Sequence, residues 1–176
     1  MCTQKMQLVE PTAALKAAYE DYINAWEKSG DHFVPYAASP RGMTYEALLE
    51  DWSIAKTDTA YERGFVPATL YFMLDERGQI VGALHLRHVL NESLERVGGH
   101  IGYGVRPDAR RQGIATDMLK MGLDCAFNRG IKEVLITCDA DNAASYRTML
   151  ANGCELKDII TVEDERVRRY LKKIPK

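Results

Sequence analysis

The segment GYGVRPDARRQGIAT, residues 102–116, carries the strongest signal in the chain. It begins within a strand-like stretch at 99–105 and ends within residues 111–129, whose apolar side chains recur at helical spacing. The segment therefore predicts a strand, a tight loop and the N-terminus of a long helix. A helix N-terminus leaves backbone N–H groups without partners and carries partial positive charge.

Four residues of this loop suit the binding of an anion. Gly113 and Ala115 put little or no side chain between the backbone and an approaching phosphate. Arg110 and Arg111 add positive charge that can pair with it. The loop therefore predicts an anion site, of the kind that binds a phosphorylated cofactor.

Two other glycine-rich motifs can be tested against the spacing of the glycines in this segment. A dinucleotide-binding GxGxxG pattern counted from Gly102 fails, because Pro107 stands at the third glycine position. A Walker A loop fails too, since no glycine here is followed by Lys and then Ser or Thr. An ordinary glycine turn ahead of an amphipathic helix remains an alternative at this point.

The flanking sequence predicts an α/β (α+β) fold with a mixed central sheet and helices on both faces. The expected order is β-α-α-β-β-β-α-β-α-β-β, and the long helix is a crossover between parallel strands. Residues 91–96 are expected to form a loop. The expected strands are 6–9, 69–74, 79–87, 99–105, 134–138, 155–162 and 166–174, and the expected helices are 12–28, 44–55, 111–129 and 142–152.

Composition limits the function. A length of 176 residues suits a single domain, 1–176, and a net charge of -2 argues against nucleic-acid binding. No apolar run approaches the length of a membrane span, and no charged leader precedes an apolar stretch, so we expect a cytoplasmic protein that binds no membrane. The four cysteines show no zinc-ligand spacing and are expected to be reduced: Cys2, Cys125, Cys138 and Cys154.

The pattern Arg110-x-x-Gly113-x-Ala115, after Val105-x-Pro107, resembles the pyrophosphate loop of the GNAT superfamily of N-acetyltransferases. The element order resembles that fold as well. The resemblance implies acetyl-CoA as the cofactor. Its pyrophosphate would be held by backbone amides of Arg111, Gln112, Gly113, Ala115 and Thr116.

The resemblance also implies how the rest of the cofactor is bound. The strand before the loop splays away from the next parallel strand, so the main chains of Tyr103 and Val105 would pair with pantetheine. A second coenzyme A signature is Asn142-x-x-Ser145, in which Asn142 reaches the pantetheine or the loop. Asn142 is equally well explained as a helix N-cap, and both roles can hold together.

The chain departs from the family pattern at two positions. Met149 stands where the family usually has the tyrosine that protonates the departing thiolate, and Cys154 follows Gly153 where phenylalanine is usual. Methionine cannot donate a proton, so Tyr146 is the candidate general acid. A thiol with a pKa near about 8.5 can also leave as the thiolate.

An amine must be neutral to attack a thioester, which makes a base useful near pH 7. His100, on the strand that enters the gap, is the candidate, with a histidine hydrogen-bonded in the sheet as the alternative. His85 and His88 are weaker candidates, and a water chain is also possible. An acidic rim at 46–62 would favour a cationic amine, but a solvated helix face explains it too.

These observations predict an N-acetyltransferase in which a primary amine, on a small molecule or a peptide, attacks acetyl-CoA directly. Many members of the GNAT superfamily form homodimers, so the resemblance implies that this chain could form one too. A binding module that senses acyl-CoA without turnover is the alternative that Met149 favours. A nucleotide- or phosphate-binding domain without coenzyme A chemistry is a third, against which Asn142-x-x-Ser145 argues.

Overall fold

The computed structural model describes residues 6–174. The strands are β1 (Gln7–Val9), β2 (Ala68–Leu74), β3 (Ile80–Arg87), β4 (Ile101–Val105), β5 (Glu133–Asp139), β6 (Glu155–Val162) and β7 (Glu165–Lys173). The α-helices are α1 (Lys16–Ser29), α2 (Tyr45–Ala55), α3 (Thr59–Glu62), α4 (Glu92–Arg96), α5 (Ile114–Asn128) and α6 (Ala143–Ala151). Short 3-10 helices lie at Ala13–Leu15, Tyr36–Ala38 and Pro107–Ala109.

The strands form two antiparallel sheets, in the orders β1-β2-β3-β4 and β5-β7-β6. The sheets approach each other at one point, where Gly99 forms an isolated bridge with Ile136. A Cβ on Gly99 would lie 2.3 Å from the carbonyl oxygen of Leu135, so only glycine allows this approach. Further along, β4 and β5 share no ladder, and a gap opens between them.

Each face of the first sheet packs against its own helices. One face holds an aromatic cluster under α1 and α2, centred on Tyr19, Trp52 and Phe72. The other face packs against α5, with Leu84 of β3 and Met118 of α5 fully buried. Because side chains alternate along a strand, β3 contributes to both clusters, with Ala83 in the first and Leu84 in the second.

The predicted fold class is confirmed, and the sheet is divided between β4 and β5, as the family resemblance implied. Two details differ. Residues 91–96, expected as a loop, contain α4, because the Asn91 side chain accepts a hydrogen bond from the N–H of Leu94 (2.9 Å) and caps a helical turn. The short helix α3 was not predicted, since four residues are too few to show periodicity.

The structure also bears on the predicted cap of α2, on the cysteines and on membrane spans. Thr44 caps α2 as expected, accepting a hydrogen bond from the N–H of Ala47 (3.2 Å). Cys125, Cys138 and Cys154 are free thiols, and Cys2 lies outside the described residues. Across residues 6–174, no helix combines the length and the apolar character that a membrane crossing requires.

Candidate functional site

A cavity of about 650 Å³ lies beside the unpaired edge of β4. The end of β4, the loop before α5, and the starts of α5 and α6 form its walls. The predicted site residues that line it are Tyr103, Val105, Arg110, Arg111, Gly113, Ala115, Thr116, Asn142 and Ser145. Gln112, His100 and Tyr146 are predicted site residues that do not line it.

The N-terminus of α5 opens onto this cavity without a side-chain cap. Gly113 is the N-cap, with φ +80° and no atom within 4 Å of where a Cβ would stand. The N–H groups of Arg111, Gln112, Gly113 and Ala115 have no acceptor among residues 6–174. Thr116 differs, because its N–H donates to the carbonyl oxygen of Gly113 (3.0 Å). The loop therefore presents a set of unused backbone donors, to which Thr116 does not belong.

The two arginines of the loop are placed differently. Arg110 forms an ion pair with Asp31 (2.6 Å), and its guanidinium lies over the ring of Trp26, 5.5 Å from the centroid. Both partners hold Arg110 at the cavity rim, where its side chain is half exposed. Arg111 has φ +64°, a left-handed conformation that turns the chain into α5.

The wall opposite the loop is the unpaired edge of β4. β4 pairs with β3 along one edge only, so its other edge faces the gap at Tyr103, Gly104 and Val105. The backbone groups on that edge are available to pair with an extended ligand.

Tyr103 also contributes its side chain, which the sequence did not suggest. Its hydroxyl lies 3.1 Å from the Ser145 hydroxyl and donates to the Ser145 carbonyl oxygen (3.3 Å). Burial raises the pKa of Tyr103 to about 12, with hydrogen bonding to Ser145 opposing it, so the phenol is protonated at neutral pH. The alternation of β4 places this side chain on the α5 face, the signal that could have predicted it.

Asn142 has the capping role expected for it. Its side chain accepts a hydrogen bond from the N–H of Ser145 (3.0 Å), and both residues line the cavity. The capping interpretation of Asn142 is therefore confirmed, and its coenzyme-binding role stays a prediction.

A family model described as an acetyltransferase (GNAT) domain matches residues 12–155. The chain belongs to the GNAT acetyltransferase family. A comparison with proteins of curated function finds no significant match.

Several solved structures share the GNAT fold with this chain. The ribosomal-protein-S5-alanine acetyltransferase from Vibrio fischeri superposes with a TM-score of 0.69 at 14% identity, covering 98% of this chain and 95% of that one. The microcin C7 self-immunity acetyltransferase MccE, in complex with acetyl-CoA and AMP, gives 0.66 at 17% identity, with 98% and 94% covered. Mycobacterium smegmatis RimJ, in complex with CoA-disulfide, gives 0.63 at 21% identity, with 96% and 81% covered.

Within this GNAT domain, the family's usual tyrosine position is closed to the cavity. Met149 is fully buried in the core beneath α6. Tyr146, the substitute that the sequence suggested, lies against Arg168, whose guanidinium is 4.7 Å from the centre of the Tyr146 ring. The tyrosine that lines the cavity is Tyr103.

The histidines are held by the sheet. The Nδ1 atom of His100 accepts a hydrogen bond from the N–H of Leu135 (3.0 Å), and burial lowers the pKa of His100. A neutral ring with an accepting Nδ1 carries its proton on Nε2, so neither nitrogen keeps a free lone pair for general-base work. Burial also lowers the pKa of His88, whose Nε2 lies 2.8 Å from the hydroxyl of Thr69.

Proposed function

We propose that this GNAT protein transfers an acetyl group from acetyl-CoA to a primary amine by direct attack. The observation that carries the proposal is the set of acceptor-free N–H groups at the start of α5, opening into a cavity beside the unpaired edge of β4. Coenzyme A has an anionic diphosphate and an extended amide-bearing arm. The diphosphate suits the N–H groups at the start of α5, and the amide-bearing arm suits the unpaired edge of β4.

The residues present fit this cofactor. The N–H groups of Arg111, Gln112, Gly113 and Ala115 would hold the diphosphate, with Arg110 at the rim adding charge. β4 is five residues long, about 17 Å when extended, and its edge would align the arm between the loop and the point where the sheets meet. When bound, acetyl-CoA supplies an activated acetyl thioester.

We propose Tyr103 as the proton donor to the departing thiolate, and water as the acceptor of the proton that the attacking amine loses, because neither ring nitrogen of His100 has a free lone pair. The Tyr103 hydroxyl keeps its proton at neutral pH and lies beside Ser145, a residue of the cavity wall, whereas Met149 has no proton to give and Tyr146 is turned to Arg168. The chain would thus supply from β4 the group that the family usually supplies from the helix after β5.

Removal of the Tyr103 hydroxyl should lower turnover and leave cofactor binding intact. We expect Tyr103→Phe to reduce kcat about 10²-fold or more, because general acid catalysis typically contributes 10²–10⁴-fold. Tyr146→Phe is the matched control and should stay within about twofold of the parent. Thiol release and acetyl-CoA calorimetry on both variants measure this. A kcat that falls for Tyr146→Phe and not for Tyr103→Phe would return the acid role to Tyr146.

The proposed function is tested by calorimetry with acetyl-CoA, followed by thiol release with a panel of amines. Binding with release establishes the transferase and gives its acceptor class. Binding without release on any amine supports the second candidate, an acyl-CoA sensor, which the buried Met149 favours. No binding would show that the 110–116 loop does not hold coenzyme A.

A further inference from the structure

A mostly buried guanidinium at the end of β3, that of Arg87, has no carboxylate partner among residues 6–174. Its Nη1 atom donates to the carbonyl oxygens of Gly98 (3.2 Å) and Gly99 (2.9 Å). These are its only side-chain hydrogen bonds within the described chain, so Nε and Nη2 remain unused. Burial lowers the pKa of Arg87, and no neighbouring acid opposes the shift. A buried cation without a counter-ion is costly, which suggests that a ligand completes this site.

The register of the strands shows which residues share a face with Arg87. His85 pairs with Gly102 of β4, and the N–H of Arg87 donates to the carbonyl oxygen of His100 (2.7 Å). Ala83, two residues before His85, packs in the cluster under α1 and α2. Arg87, His85 and Gly102 therefore lie on the α1–α2 face of the sheet, opposite α5.

The loop between α1 and α2 covers this face closely at Gly102. A Cβ on Gly102 would already be in ordinary contact with the Pro35 Cβ, at 3.8 Å, so the space above Gly102 fits only a methyl-sized group. The opening on this face lies beside Arg87 and His85. The side chains of His85 and Arg87 keep partial exposure to solvent.

The face also meets the gap where the two sheets touch. The N–H of His100 donates to the carbonyl oxygen of Leu135 (2.7 Å), next to the Gly99–Ile136 bridge. The cavity begins beyond this contact, from Tyr103 onward. A molecule bound at Arg87 would therefore approach the narrow end of the gap from the side opposite α5.

Apart from the two carbonyl oxygens that Arg87 binds, the polar side chains nearest to it are the histidines His85 and His100, and neither is an acid. Burial lowers the pKa of His85 to about 3, and Arg87, His88 and Arg41 act in the same direction. The accepting Nδ1 of His100 leaves Nε2 as a donor.

Two acids of the predicted rim are paired with cations in the structure. Asp51 is paired with both Arg41 and Arg63, and Glu46 is paired with Lys16 (2.7 Å). These two carboxylates are therefore less available to select a cationic amine.

We propose that the acceptor amine also carries a carboxylate, which Arg87 binds at the narrow end of the gap. The substrate class is then an amino carboxylic acid, and this assignment rests on the proposed acetyl transfer. A carboxylate offers only acceptor oxygens, and Nε and Nη2 of a guanidinium form a planar pair of donors that matches it. The salt bridge would fix one end of the acceptor and leave the amine facing the gap.

The test is calorimetric and does not depend on turnover. Glycine, β-alanine and γ-aminobutyrate, each paired with its carboxamide, are titrated into the protein saturated with coenzyme A. We expect at least one acid to bind about tenfold or more tightly than its amide, since a charge-assisted pair contributes that much. In Arg87→Gln the acid should lose this advantage and bind like the amide.

The controls separate recognition from folding. Arg87→Gln must still bind coenzyme A with parental affinity, and Arg87→Lys should recover part of the preference for the acid. The inference is overturned if no acid binds more tightly than its amide, or if the preference persists in Arg87→Gln. Thiol release with acetyl-CoA in parallel samples tests the transferase itself, so a failure of turnover and a failure of carboxylate recognition give different results.

Discussion

Replacement of Gly113 by aspartate should abolish measurable acetyl-CoA binding, with a loss of affinity of at least about 100-fold, or about 2.7 kcal/mol. The new carboxylate would stand at the N-cap of α5, where the unused N–H groups converge on the cavity. There it would accept those hydrogen bonds itself and repel the diphosphate. Calorimetry with acetyl-CoA gives the result directly.

The fold should survive this change. Aspartate is a favourable N-cap residue, tolerates the left-handed region better than most residues, and meets no atom within 4 Å at this position. Gly78→Asp is the matched control, because Gly78 has φ +76° and equally open surroundings in the turn between β2 and β3. Gly113→Ala separates bulk from charge. Undiminished affinity in Gly113→Asp would refute the assignment of the loop.

The backbone conformation of the loop could be predicted from sequence because it depends on neighbouring residues. A glycine at a helix start favours a left-handed turn into the helix, and Gly113 has φ +80° there. The exception, Thr116, depends on a hydrogen bond to Gly113 that only the detailed geometry of the turn decides.

The side chains that face the gap could not be assigned in the same way. Tyr103 and Ser145 are far apart in sequence and meet because α5 and β5 return the chain to β4. Hydrophobic periodicity shows which face of an element is buried, but it does not show which hydroxyl groups hydrogen-bond to each other across the fold. For the same reason, Tyr146 looked suitable from its position near Met149, whereas the start of α6 directs it to Arg168.

His100 and Arg87 illustrate a related difficulty. From the sequence, His100 is a candidate general base because it stands next to the expected gap. In the structure, its Nδ1 accepts a hydrogen bond from the backbone of β5. An arginine within a strand suggests nothing unusual until the described structure shows no acid beside it. Both facts concern partners in the folded state, which a single sequence does not contain.

Replacement of Gly104 by alanine should destabilise the protein by about 2–3 kcal/mol, a typical cost of overpacking. A Cβ on Gly104 would lie 2.0 Å from the carbonyl oxygen of Val34, so the backbone of the loop between α1 and α2 must move. Backbone atoms give way less readily than the end of a flexible side chain. The expected fall in Tm is about 5–10 °C, measured by thermal unfolding.

Gly102→Ala is the matched control for this change, because it lies two residues away on the same face of β4. Its Cβ would meet only the Pro35 Cβ, at an ordinary contact distance of 3.8 Å, so we expect a change within about 1 kcal/mol. Val34 also lines the cavity, so Gly104→Ala should weaken acetyl-CoA binding as the loop shifts, whereas Gly102→Ala should not. Equal stabilities of the two variants would mean that the loop does not rest on Gly104. The gap would then have a wall that moves freely, and the shape of the cavity would no longer depend on how closely Val34 approaches β4.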